Sequence, residues 1–166
     1  IAKGSRGSSF ASELMALSKA KRVPVQEVDR IALDRAAGDV NHQGVVGYVA
    51  AISYVEVQDV IDLARSRKED IFVVLTDGIM DPQNLGSIIR TANACGAHGV
   101  IVPMRRGAQV SSAVVRASAG AAEHTLIART SNISQAIEVL KKEGAWVVGT
   151  SLEAEKYHYE SDLTGN

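Results

Sequence analysis

This chain has almost no cysteine, no long apolar run and no excess of charge of either sign. The single cysteine, Cys95, excludes an internal disulfide framework and fits a reducing compartment. Cysteine and histidine form no paired clusters at zinc-ligand spacing, so no metal site is expected. No apolar run approaches the length of a membrane span and Ile1-Ala-Lys-Gly-Ser5 does not resemble a secretory signal, which together predict a cytoplasmic protein without a membrane partner. The formal net charge of −1 supplies no global attraction to a polyanion, so contact with one must come from local basic clusters. No internal repeat or low-complexity stretch is evident.

What is present is ample material for a core, 46% of 166 residues being hydrophobic. Residues 1–52 read as a small α/β unit that begins abruptly, as if its start were missing. Ser9 can cap a helix carrying Phe10, Leu14 and Leu17. Val23–Val28 and Val45–Val49 read as short strands, with Asp29 capping a brief helix between them that ends at Gly38. Residues 53–70 read as a charged linking helix with Val57, Val60, Ile61 and Ala64 near one face. From Ile71 onward, strands at Ile71–Leu75, Val100–Val102, Thr125–Ile127 and Trp146–Gly149 alternate with helices near 82–95, 111–119 and 132–143. That alternation is the signature of a doubly wound, parallel α/β sheet.

The stretch from Asp77 to Met104, DGIMDPQNLGSIIRTANACGAHGVIVPM, carries most of the functional information. Gly78 breaks the first strand. Asp81 can cap a helix whose first turn holds Pro82, and Gly96 stands where a left-handed terminating residue is needed. Leu85, Ile88, Ile89, Ala92 and Cys95 share one face, which predicts packing on the sheet and a buried Cys95. Asn84 then lies just beyond the carboxyl end of a parallel strand, where open α/β sheets place their ligands. Arg90 is nearly two turns further along.

Asn84, Gly86, Arg90, Thr91 and Ala92 resemble the first signature motif of the SpoU (TrmH-type, SPOUT superfamily) RNA ribose 2′-O-methyltransferases. Asn41-His-Gln-Gly-Val45, Pro103-Met104, Gly120-Ala-Ala-Glu123 and Trp146-Val-Val-Gly-Thr150 agree in order and spacing across nearly the whole chain. Within that family it looks most like the 23S rRNA guanosine 2′-O-methyltransferases. The resemblance implies an α/β-knot catalytic domain over 71–166, a partial ribosomal-protein-like RNA-binding domain over 1–52, S-adenosyl-L-methionine as methyl donor, an RNA substrate and a homodimer. The family's pattern continues with a G-x-E-G-x-G loop and a serine-leucine-asparagine segment that complete the donor site and the knot. This chain stops at Leu163-Thr-Gly-Asn166, before both, which implies a truncated enzyme. There is no Gly-x-Gly-x-x-Gly fingerprint after the first strand, against a nicotinamide-binding fold and the more familiar Rossmann-type methyltransferases.

By resemblance Arg90 is the catalytic residue. A guanidinium is a poor general base because it stays protonated, so its expected role is to grip the adjacent RNA phosphate, orient the ribose and stabilise developing negative charge. Asn84 would position Arg90 or the ribose, or else satisfy loose backbone groups of the first turn. Thr150, Ser151 and Leu152 would contact the adenosine of the donor; the alternative is an ordinary loop leaving a strand. RNA contacts are expected from Lys3 with Arg6, from Lys19, Lys21 and Arg22, and from Arg105 with Arg106, each of which could instead be solvated surface. His42 and His98 read as structural. A non-catalytic RNA-binding or ribosome-assembly protein of the same fold, or a tRNA 2′-O-methyltransferase, are the competing functions.

Overall fold

A computed structural model of the chain describes residues 1–4, 9–38 and 40–162. Its backbone separates into two units, Ile1–Ala50 and Ala51–Asn166.

The first unit holds α1 (Ser9–Lys21) and α2 (Arg30–Ala37) around a small core of Ile1, Ala11 and Leu33. Backbone bonds join three stretches: Ala2 bridges Val28 in parallel, the Lys3 N–H donates to the Val28 carbonyl at 2.9 Å, and the Ala2 N–H donates to the Gly44 carbonyl at 2.9 Å. His42 pins the following turn to α2. Its Nδ1 accepts the Gly44 N–H at 2.8 Å and its Nε2 meets Asp34 Oδ1 at 2.8 Å. The strands expected at Val23–Val28 and Val45–Val49 do not form. A strand needs a neighbour for its backbone groups, and among the described residues of this unit only the Ala2–Val28 bridge supplies one, leaving Tyr48 and Val49 exposed. Of the apolar residues on α1, Phe10 and Leu17 are more than half exposed, Leu14 is half-buried and Ala11 is buried.

The second unit runs α3 (Val57–Arg67), β1 (Val73–Leu75), α4 (Pro82–Ala94), β2 (Gly99–Pro103), α5 (Ser112–Ala117), β3 (Leu126–Thr130) and α6 (Ile133–Lys142). The strands form a parallel sheet in the order β1-β2-β3, with Val74 opposite Val100 and Ile101 opposite Ala128. Alternation along β2 sends Val100 and Val102 to one side, against Leu85, Ile89 and Ala92 of α4 and Val114 of α5. Ile101 goes to the other, against Val60 and Ile61 of α3 and Leu140 of α6. Burial on both faces stabilises each such side chain by roughly 1.5–3 kcal/mol and explains why β2 is an unbroken apolar run.

Besides shifts of a residue or two at element ends, three features depart from the sequence reading. Residues before Val57 are extended rather than helical because Val55 joins the sheet edge: its N–H donates to the Ile127 carbonyl at 3.0 Å and its carbonyl accepts the Arg129 N–H at 3.2 Å. The third strand runs on past Ile127 to Thr130 because β2 offers it partners as far as Pro103. Trp146–Gly149 is not a strand. That segment lines a cavity of about 620 Å³ along the outer edge of β1, but makes no ladder with it, and Trp146, Val147 and Val148 stay exposed.

His98, just before β2, is buried. Its Nδ1 accepts the Phe72 N–H at 3.1 Å, which puts the ring proton on Nε2, where it meets Glu69 Oε2 at 2.8 Å. The ring therefore fastens the entry of β1 to that of β2, a structural role.

Gly86 marks the crossing of α4 and α5. A Cβ there would stand 2.4 Å from Ala117 Cβ, 2.8 Å from the Val114 carbonyl oxygen and 2.9 Å from the Ser118 nitrogen, two of them backbone atoms that cannot step aside. This close backbone approach explains a glycine inside a helix, where it otherwise costs about 1 kcal/mol. Gly86→Ala is expected to lower stability by about 1–3 kcal/mol, overpacking outweighing the gain in helix propensity. Urea unfolding followed by circular dichroism measures it; a stabilised variant would contradict the crossing.

Candidate active site

The site is built by the carboxyl ends of the three strands and the loops that leave them. Asp81 starts α4: its carboxylate accepts the Gln83 N–H at 3.0 Å, and Pro82 follows where no N–H is needed. At the far end Gly96 takes the left-handed conformation, φ +79, as its position predicts. The loop before α4 is tied to the loop after β2 by the Ala108 N–H donating to the Ile79 carbonyl at 2.7 Å, and the Met104 N–H donates to the Thr130 carbonyl at 2.8 Å. These bonds knit three loops into one rim. Gln109 adds to it, donating from Nε2 to the carbonyls of Pro103 and Gly107.

Asn84 and Arg90 are both exposed on α4, and neither side chain has a hydrogen bond or ion pair to another described residue. Leu85, Ile89 and Ala92 lock the opposite face of the helix into the core, so the face that carries Arg90 is turned outward and its guanidinium is left available. Six residues separate it from Asn84, about 9 Å of axial rise and a third of a turn in direction. The structure does not bring the two together, and the expectation that the Asn84 amide holds Arg90 is not met within the chain.

Of the three residues expected at the donor, Thr150 lines the cavity beside β1, whose polar lining also includes Thr76 and Asp77. Ser151 turns its hydroxyl to the Glu153 N–H at 3.2 Å, and Leu152 is fully exposed. The Thr76 hydroxyl is occupied by the Ile101 carbonyl. Ser151 and Leu152 do not line the cavity.

The basic clusters are distributed over both units. In the first, Lys3 pairs with Asp29 at 3.1 Å, Lys19 and Lys21 occupy the last turn of α1, where the helix dipole favours cations, and Arg22 follows with φ +55. Arg6 lies outside the described residues. In the second, Arg105 and Arg106 are exposed directly after β2. Cys95 is not in the core, contrary to the expectation from helical spacing. It sits past the last turn of α4, exposed at the rim of an apolar groove with Phe72 and Val74, because the groove side of β1 carries no further strand. Among the described residues no group of three or more potential ligands could hold a metal ion, and no helix is long and apolar enough to cross a membrane.

Sequence reading passed over Arg129 and Tyr54. Arg129 lies on β3 opposite Val102, with its guanidinium carbon 4.4 Å from the centroid of the Tyr54 ring. The Tyr54 hydroxyl accepts the Val110 N–H at 2.8 Å and donates to Gln109 Oε1 at 3.3 Å. An arginine two places after a buried isoleucine in a strand was the available signal.

Two family descriptions match the chain: SpoU rRNA Methylase family over residues 71–166 and RNA 2′-O ribose methyltransferase substrate binding over residues 1–55. YacO of Bacillus subtilis, assigned to the TrmH family of tRNA/rRNA methyltransferases, is 42% identical over 144 residues, 87% of this chain and 57% of that protein. The 23S rRNA (guanosine-2′-O-)-methyltransferase RlmB of Vibrio cholerae is 37% identical over 155 residues, covering 93% and 61%. The chain thus spans less than two thirds of each relative. An AdoMet-bound rRNA methyltransferase from Sinorhizobium meliloti superposes with a TM-score of 0.58 at 29% identity, covering 79% of this chain and 48% of that one. The SpoU methyltransferase AviRb from Streptomyces viridochromogenes gives 0.56 at 26%, covering 82% and 48%.

Because Asp81 organises the turn that carries Asn84, Asp81→Ala is expected to cost about 1 kcal/mol and to speed amide exchange in the first turn of α4 before the rest of the helix. Hydrogen exchange resolved by residue checks this; uniform exchange along α4 would deny the cap that role.

Proposed function

The chain belongs to the SpoU rRNA methylase family, and from that premise we propose that it acts in S-adenosylmethionine-dependent methylation of a ribose 2′-hydroxyl of RNA. The observation that carries this reading is Arg90, exposed on a helix whose opposite face is packed in the core, with a guanidinium unpaired among the described residues. The RNA is proposed to be large-subunit ribosomal RNA and the target a guanosine, supported by the identity to the RlmB proteins of Vibrio cholerae and Coxiella burnetii, each 37%. Residues 1–52 are the proposed substrate-binding part, with Lys3, Arg6, Lys19, Lys21 and Arg22 meeting phosphates, and residues 71–166 the catalytic part, joined by 53–70. A cytoplasmic homodimer belongs to the same reading.

The donor supplies a methyl group on a sulfonium. Thr150, in the lining of the cavity beside β1, would hold an edge of its adenosine, with Ser151 and Leu152 closing on it only if their segment rearranges. The acceptor needs its hydroxyl oriented in line and its proton removed as the new bond forms. Arg90 cannot take that proton readily. Its planar fork can instead clamp the neighbouring RNA phosphate in two parallel hydrogen bonds, which fixes the ribose and offsets negative charge on the oxygen, while the phosphate or a water accepts the proton. Asn84, near the strand's carboxyl end, is the proposed second contact to the ribose.

Arg90→Ala is expected to reduce methyl transfer by at least about 10²-fold, the usual scale for losing one transition-state contact, with donor affinity in calorimetry unchanged. Arg90→Lys keeps the charge and loses the fork, so near-normal turnover by that variant would sink the bidentate role. Absence of S-adenosylmethionine binding by both this chain and the complete gene product would overturn the methyltransferase reading itself.

A further inference from the structure

Arg129 has no carboxylate partner among the described residues, and its Nε is buried without a hydrogen bond. A desolvated guanidinium edge is costly unless the rest of the group is paired. Stacking on Tyr54 recovers part of that cost, but it engages the face of the guanidinium and leaves the donors of its edge. The residue is partly open to solvent, at the carboxyl end of the sheet. The backbone beside it leads directly to basic side chains: Thr130 accepts the Met104 N–H, and the exposed Arg105 and Arg106 come next.

Tyr54 makes this more than an isolated side chain. Its hydroxyl is held by the Val110 N–H and Gln109 Oε1, so the ring beneath Arg129 is anchored to the same loop that carries Arg105 and Arg106. The guanidinium is therefore pre-oriented. An arginine pre-set on an aromatic ring, short of acceptors and joined by the Thr130–Met104 backbone bond to a loop that carries two further cations, fits a phosphate diester: two oxygens at the fork, with the charges of that loop adding attraction.

We propose that Arg129, seated on Tyr54, forms with Arg105 a phosphate-binding subsite for the RNA substrate on the carboxyl rim of β2 and β3, additional to the phosphate clamped by Arg90. This rests on the RNA-methylation reading above. Arg129 is a binding residue in it and takes no part in methyl transfer; Tyr54 is a positioning residue.

The test is the salt dependence of binding of the 166-residue chain to a fluorescently labelled RNA hairpin, with circular dichroism confirming the fold of each variant. Loss of one phosphate contact lowers the slope of log K against log salt by about 0.7–0.9, and Arg129→Gln is expected to show that drop. Tyr54→Leu keeps the cation and removes its seat, so affinity is expected to fall with the slope nearly kept. An unchanged slope and affinity in Arg129→Gln, with wild-type binding intact, would overturn the subsite and leave the methylation reading standing. Failure of the wild-type chain to bind RNA at any salt would overturn both. Should Arg129→Gln not fold, Arg129→Lys decides: weaker binding with a retained slope supports the fork, and unaltered binding overturns it.

Discussion

The burial of β2 on both faces governs everything else in the second unit. Gly99, Val100, Ile101 and Val102 are enclosed between α4 and α5 on one side and α3 and α6 on the other, so no polar group is presented from the faces of β2. Chemistry is confined to the rim where the chain leaves the strands. The loops there are bonded to one another rather than to solvent alone, and that lets a unit with short strands offer side chains at defined positions.

Much of this architecture was legible in the chain. Val100-Ile-Val102 reads as a strand returning after the helix, and Asp81, Pro82 and Gly96 bracket α4 with the chemistry that helix ends require. What was not legible depended on neighbours. Trp146-Val-Val-Gly149 has every intrinsic mark of a strand, yet a strand is a relation between two backbones, and this one forms no ladder with β1. Val45–Val49 failed for the same reason. Cys95 obeyed helical spacing but stands at the last turn, where the sheet no longer covers the helix.

The candidate site divides in the same way. Arg90 and Asn84 could be found because their spacing within a helix resembles a known motif, and the structure adds that both are exposed on α4, whose opposite face is packed in the core. Arg129 could not be found so. Its significance comes from Tyr54, 75 positions earlier in the chain, brought alongside by the pairing of Val55 with β3. A contact between such distant residues leaves no local pattern to read.

The outer edge of β1 has a bearing on the solution behaviour of the chain. Val73–Leu75 pair with β2 on one side only, and an apolar groove with Phe72 and Val74 in its wall runs beside them. Bare strand edges are templates onto which any extended apolar segment can crystallise, and proteins usually guard them with charge, proline or a covering element. A formal net charge of −1 gives little electrostatic repulsion to keep molecules apart. Covering that edge therefore opposes association through it.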